Sequence, residues 1–259
     1  MKVLRTLAAA FAQYSRIPMP RFAWKEEDMR CSLAAFPLVG AVTGAVFFAA
    51  FIFSSRLAIP DAAAALLLTA VPLIMTGGFH IDGFMDVADA LSSYRTREEK
   101  LAILKDPHIG AFAVIRLAVC GLIYIAALIV VTASERAEGL MLSISAGFML
   151  SRSLSAVSVL TFRSAKNEGM LYYEATSAAG ARKINLCFDI AWLIIASAVM
   201  IRYGGAAGAA ETAAAVLSFA WYKYKSYKEF GGITGDTAGY FVVICETAIA
   251  AAAAAFALL

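Results

Sequence analysis

The chain has 259 residues, 61% of them hydrophobic and 16% charged, with a mean hydropathy of +0.76. A soluble domain carries about 25% charged and roughly 45–50% apolar residues, so this composition excludes an ordinary soluble globule and points to an integral membrane protein. The net charge of +3, with no Lys/Arg cluster interleaved with aromatics, gives no footing for a nucleic-acid partner. Cys31, Cys120, Cys187 and Cys245 are far apart and form no CxxC pair, which argues against a zinc site or a disulfide framework.

The first segment, MKVLRTLAAAFAQYSRIPMP, is a poor signal peptide. Its uncharged run from Thr6 to Ser15 contains Gln13, Tyr14 and Ser15, and Arg16 follows at once. It reads as a retained amphipathic or interfacial helix ending at Pro18 and Pro20. Residues 1–30 form the cytoplasmic or interfacial start of a single membrane domain, 1–259.

A bilayer core about 30 Å thick takes roughly 20 apolar residues of helix. The runs that meet this are Cys31–Ser55, Ala62–Phe79, Leu117–Ser134 (extending back to Ile109), Gly139–Phe162 with Arg152 inside, Ile184–Ile201 with Asp189, Tyr203–Trp221 with Glu211, and Thr237–Leu259 with Glu246. The expected fold is therefore all-α, a polytopic membrane bundle of about seven transmembrane helices. Leaving aside Arg116 and Arg152, the Lys/Arg counts of the flanking segments run 6, 1, 4, 1, 4, 1, 3. Basic residues concentrate in cytoplasmic loops, so the N-terminus is predicted inside and the C-terminus outside, with every longer polar loop on the cytoplasmic face. The Ala-rich stretches Gly204–Ala215 and "AIAAAAAAF" suit close helix packing.

One passage breaks the apolar pattern. "TGGFHIDGFMDVADAL", residues 76 to 91, follows an uncharged run and holds His80, Asp82, Asp86 and Asp89. Gly77 and Gly78 interrupt the span, and a new helix can begin near Asp82. At about 100° per residue the three aspartates fall within about 60° of one another, opposite Phe84, Val87, Ala88 and Leu91. Helix-dipole stabilisation accounts for Asp82 but not for Asp89, two turns in. Three like charges on one face repel, and a bound cation removes that objection. Hard oxygen ligands without cysteine favour Mg²⁺ or Mn²⁺, and Mg²⁺ usually joins carboxylates to substrate phosphates.

His80 reads either as a catalytic or phosphate-contacting group or as a satisfied residue with no chemical role. "KDPHIG" closes the same loop: Lys105 suits a phosphate contact, and Asp106 suits either a metal ligand or the cap of the next helix. "GGITGDTAGY", residues 231 to 240, enters the last span from the same side, and its Asp236 is either an N-cap or a further metal ligand. Arg152, inside its span, needs a partner or a polar cavity. Asp189, Glu211 and Glu246 are the available partners, and a ligand contact is the alternative.

Several stretches together resemble a known family. "GGFHIDGFMDVADAL", with "SRIPMP", "FPLVGAVTG", "KDPHIGAF", "SRSLSA" and "GGITGDTAGY" in order along most of the chain, resemble the cobalamin synthases, the adenosylcobinamide-GDP ribazoletransferases. The resemblance implies an Mg²⁺-dependent enzyme of a bacterial or archaeal cytoplasmic membrane, its active site facing the cytoplasm. It would join adenosylcobinamide-GDP to α-ribazole, or its 5′-phosphate, and release GMP late in cobamide assembly. Asp82, Asp86, Asp89 and Asp236 would hold metal and Asp89 or His80 would act as base. Lys105, Asp106 and Arg152 would contact substrate. Membrane lipid is the surrounding partner, and a homo-oligomer is left open. One departure stands out: where the family carries a Glu seven residues after its GD motif this chain has Val243, leaving only Glu246 three residues further on.

Two rivals are weaker. A CDP-alcohol-type phosphotransferase is expected to carry D-G-x-x-A-R, and here Gly83 is followed by Phe-Met-Asp-Val. A cation transporter would place its carboxylates near the bilayer midplane, whereas these cluster at the edge of a span.

Overall fold

The computed structural model describes residues 2–20, 23 and 25–259. In chain order its helices are α1 (Lys2–Tyr14), α2 (Glu26–Met29), α3 (Ser32–Arg56), α4 (Asp61–Thr76), α5 (Phe79–Ser92), α6 (Arg97–Ile103) and α7 (Ala111–Thr132). Then follow α8 (Ala137–Thr161), α9 (Met170–Ala178), a 3₁₀ turn over Ala179–Ala181, α10 (Arg182–Gly204), α11 (Ala206–Phe230) and α12 (Gly235–Ala257). Among the described residues there is no strand, only an isolated parallel bridge between Ser164 and Ile233. A helix satisfies its own backbone polar groups, which lipid cannot do, and each expected apolar run is accordingly helical.

Seven long helices stand where the seven runs were read, but they are not equally apolar. The helices α3, α7, α8 and α12, and the stretch containing α10, are each long and apolar enough to cross a membrane. Helix α4 qualifies only together with α5, which is bent from it by 96°. Helix α11 has the length, 25 residues, but is less apolar because Glu211 and a lysine-rich final third interrupt it. Its Lys223, Lys225 and Lys228 gather toward one end, as the loop count implied.

The bend after α4 has a local cause. Gly77 and Gly78 both have left-handed backbones, φ 64° and 81°, a conformation costly for residues with a Cβ. The N–H of Gly78 closes α4 on the Leu73 carbonyl at 3.2 Å. Helix α5 then starts at Phe79, earlier than the expected start near Asp82, because the two glycines complete the turn by themselves. Helix α1 ends at Tyr14, before the prolines expected to stop it. There the Ser15 hydroxyl donates to the Phe11 carbonyl at 2.7 Å, and the Arg16 N–H leaves for the Met75 carbonyl at 2.8 Å, tying the N-terminal segment to the end of α4.

Helix α8 is the central post, packed against α3, α10 and α12. Its approach to α3 is backbone to backbone: a Cβ on Gly44 would fall 2.1 Å from the Ser145 carbonyl oxygen. Small residues permit this intimacy, which in lipid replaces the hydrophobic drive between helices. Two serines of α8 are satisfied within the helix, Ser145 and Ser153 donating to carbonyls four residues back at 2.7 and 2.9 Å.

Alternating helix directions collect α1, α2, α5, α6, α9 and the 162–169 and 231–234 segments at one end of the bundle. Cross-links stitch this polar end together: Lys100 to Glu229 at 2.5 Å, Arg163 to the Gly231 carbonyl at 2.9 Å, and Arg30 to the Gly180 carbonyl at 2.8 Å. At the opposite end the connections are short turns, and α12 finishes there, so the two termini lie at opposite ends.

Candidate active site

Helix α5 runs across the polar end, roughly perpendicular to α4, and its two faces differ as the 100° periodicity required. Phe84, Val87, Ala88 and Ala90 are buried, with Phe84 stacked on Tyr240 of α12 at 5.1 Å between ring centroids. Asp82 is exposed, and Asp86 and Asp89 are half-buried.

The two polar motifs meet where α5 crosses the start of α12. A Cβ on Gly83 would lie 2.8 Å from the Asp236 Cα and 2.9 Å from its carbonyl oxygen, so only glycine lets the helices approach this closely. The crossing brings Asp236 to the acid face of α5. Capping does not explain Asp236: the N-cap is Thr234, whose hydroxyl accepts the Thr237 N–H at 3.2 Å, while the Thr237 hydroxyl accepts the Thr234 N–H at 2.8 Å. Asp236 stands in the first turn, half-buried.

The acids feel one another. Burial, then the charges of Asp82, Asp236 and Asp89, push the Asp86 carboxyl up to about 6. Asp89 leans against the start of α7, where a Cβ on Gly110 would fall 2.1 Å from a carboxylate oxygen. The loop "KDPHIG" thus closes over the acid face. Asp106 itself turns back into that loop, accepting from the His108 N–H at 3.0 Å and facing His108 Nδ1 at 2.6 Å. It does not cap the next helix, α7, whose N-cap is Gly110 with no side-chain capping bond. Lys105 reaches across to Glu168 at 2.5 Å, both side chains exposed.

A hollow of about 170 Å³ joins Asp82, Gly83 and Asp236 to Ser164, Lys166 and Glu168. Lys166 entered the sequence only as one of four loop charges, and no periodicity marks it. The fold places it where burial lowers its ammonium pKa while the charge of Asp236 opposes that shift. Arg16 of "SRIPMP" is a second cation there, lining an open groove with Gly77 and Asp82.

Among the described residues no three His, Cys, Asp or Glu side chains converge as a ready-made metal cage. The donor set is four carboxylates, all hard oxygen, in an open arrangement. Such a set fits a hard cation that keeps several waters and completes its shell on substrate phosphate, and does not fit a closed structural zinc.

Two of the expected site residues stand elsewhere. His80 is buried and points into the bundle, with the Phe36 ring centroid at 6.1 Å. Arg152 is fully buried and pairs with Glu246. Ser151 also donates to Glu246 at 2.9 Å, so the ion-pair alternative for Arg152 is the one the fold takes. His80 and Arg152 line the same interior cavity beneath α5, on the side away from the aspartates.

A family model described as cobalamin-5-phosphate synthase matches residues 6–254. An adenosylcobinamide-GDP ribazoletransferase of Lachnoclostridium phytofermentans is 41% identical over 248 residues, 95% of this chain and 92% of the relative. Proteins of the same name are similar in Geobacillus kaustophilus, 34% identical over 263 residues covering 93% of this chain and 91% of the relative, and in Clostridium botulinum, 30% over 244 residues and 94% of each. No solved structure matches the chain. With a match over nearly its whole length, the chain belongs to the cobalamin-5-phosphate synthase family.

Proposed function

We propose that this protein is the membrane transferase that joins adenosylcobinamide-GDP to α-ribazole, or to its 5′-phosphate, and releases GMP. The observation that carries the reading is the Gly83–Asp236 crossing, which gathers carboxylates from two distant motifs onto one face beside Lys166. In the reaction a ribose hydroxyl oxygen bonds to the cobinamide-side phosphorus. The bond from that phosphorus to the bridging oxygen breaks, its electron pair leaving on GMP. The hydroxyl proton passes to a carboxylate of the acid face. Asp89 suits that role by position better than His80, which faces the other way.

Catalysis of such a transfer is mostly positioning and neutralisation of phosphate charge. Asp82, Asp86 and Asp236 would hold Mg²⁺, with Asp89 beside them. Bound there, Mg²⁺ supplies neutralisation of the pyrophosphate oxygens and of the departing charge. Lys105 and Lys166, at the rim, suit the phosphates by charge. The alternation of Lys/Arg counts supports a cytoplasmic site in the inner membrane, with the N-terminus inside and the C-terminus outside.

The test is direct. Purified protein in lipid, given adenosylcobinamide-GDP, α-ribazole and Mg²⁺, should yield GMP and a cobamide in equal amounts. Folded protein that yields neither, or that instead carries labelled cations into liposomes, overturns the reading. Reporter fusions after Arg30 and after Leu259 should report opposite sides of the membrane.

A further inference from the structure

Beneath α5 the structure holds a cavity of about 120 Å³ for which the acid face has no use. Its walls come from α4, α7, α8, α12 and the start of α5, and they are largely apolar, with Leu73, Leu117 and Val243 among them. Two polar groups in these walls lack partners. The Tyr124 hydroxyl and the Arg152 Nε are both buried without any hydrogen bond, although Tyr124 is only 8% and Arg152 0% exposed. Buried donors are nearly always paired, and an exception calls for an explanation. The other buried side-chain atoms left unpaired among the described residues, on Asp189, Ser197 and Glu211, belong to α10 and α11 and line no part of this cavity.

The cavity also leads to the acid face. Thr76 and Ile81 line it and line an open groove of about 460 Å³ at the α4–α5 elbow, and Asp82 forms part of the wall of that groove. A ligand with an apolar head in the cavity can therefore pass its polar tail around the Gly77–Gly78 turn to Asp82. An apolar cavity of roughly 150 Å³ accepts a single aromatic ring, so the size class is that of a flat aromatic group reaching toward the mouth.

We infer that this cavity seats the six-membered ring of the benzimidazole base of α-ribazole, the rest of the base reaching toward the mouth. The inference rests on the proposed function, and it assigns the nucleoside to a place in the fold. Of the groups brought by the two reactants, this base is an uncharged aromatic bicycle with one bare ring nitrogen. That nitrogen accepts from the Tyr124 hydroxyl, which satisfies an orphaned donor. The Arg152–Glu246 pair puts no net charge against the ring. The ribose passes Ile81 and Thr76 and presents a hydroxyl at Asp82. Gly121 on α7 keeps the space open, since a Cβ there would meet nothing within 4 Å.

The experiment measures α-ribazole binding to the protein in lipid nanodiscs, together with separate KM values for the two substrates. Gly121→Leu fills the cavity, and Tyr124→Phe removes the hydroxyl while keeping the ring. Each should weaken α-ribazole by about tenfold or more, the worth of a lost hydrogen bond or of a blocked apolar seat, and leave the KM for adenosylcobinamide-GDP within about twofold. If the wild type turns over both substrates and both variants keep their α-ribazole affinity, the seat is elsewhere and the proposed function still stands. A wild type that neither binds α-ribazole nor releases GMP overturns both. If Gly121→Leu fails to fold, Tyr124→Phe decides alone, and unchanged α-ribazole affinity in it overturns the site. A co-purifying lipid that α-ribazole does not displace, and that Gly121→Leu excludes, shows a lipid site and also overturns it.

Discussion

The two faces of α5 handle charge in opposite ways. Above the helix, Asp82, Asp86, Asp89 and Asp236 crowd like charges at the polar end, with Lys105 and Lys166 at the margin. Below it, Arg152 and Glu246 face one another within an apolar wall, and Ser151 completes the pair. The difference lies in access to water and to ions. Carboxylates at a wet edge tolerate mutual repulsion until a cation arrives. A charge inside the bundle must carry its partner with it, because desolvation leaves no other compensation. The upper face is therefore suited to chemistry on phosphates and the lower to stability and to the seating of an apolar group.

Substitutions can break this contrast. The largest effect is expected at the acid face: Asp82→Asn and Asp86→Asn should each lower GMP release by on the order of 10³-fold, as loss of preorganised charge stabilisation does. Their melting temperatures should not fall, since each change relieves repulsion. Near-normal turnover in either variant at limiting Mg²⁺ removes that residue from the metal site.

The next pair of variants sets the two faces side by side. Glu246→Gln leaves the Arg152 charge buried and uncompensated, and breaking such a pair costs about 3–5 kcal/mol. Its main signature should be a lower melting temperature. Asp236→Ala should do the reverse, staying folded with turnover crippled, because Thr234 rather than Asp236 caps the helix. A well-folded but dead Glu246→Gln beside an active Asp236→Ala would exchange the roles given to these residues.

A change at the crossing sharpens the comparison. Gly83→Val puts atoms where the Asp236 backbone already lies, and overpacking of this kind costs typically about 1–3 kcal/mol. It should also part Asp236 from the other acids and so lower kcat, a loss that added Mg²⁺ recovers only in part. The smallest effect belongs to Lys105→Ala. Its ion pair with Glu168 is exposed on both sides and such pairs contribute about 0–1 kcal/mol, so stability should hold. A raised KM for adenosylcobinamide-GDP would mark Lys105 as a phosphate contact, and an unchanged KM would leave it as loop structure.

Much of this arrangement was legible in the amino-acid sequence. The apolar runs became helices within a few residues of their expected ends, except that α11 continues past Trp221 to Phe230, because lipid leaves the backbone no other way to satisfy its polar groups. The break at Gly77–Gly78 followed from glycine's access to positive φ. The acid face followed from spacing alone. His80 precedes the expected helix start near Asp82, and its inward turn came with the earlier start of α5 at Phe79.

What tertiary structure alone decided were the meetings between distant segments. Three acids within the spans were available to Arg152, and only the packing of α12 against α8 selected Glu246 over Asp189 and Glu211. The direction of the 96° bend and the fit of Gly83 on Asp236 also lay beyond reach, since glycine permits a turn or a close approach without dictating either. Lys166 sits in a segment with no period at all, and it reaches the acid face because the 162–169 loop is held to the 231–234 segment, Arg163 donating to the Gly231 carbonyl and Ser164 bridging Ile233. The physical reason is common to all of these. Periodicity and hydropathy are properties of one helix against its solvent, whereas a partner across the bundle is chosen by the shape and charge of every helix between them.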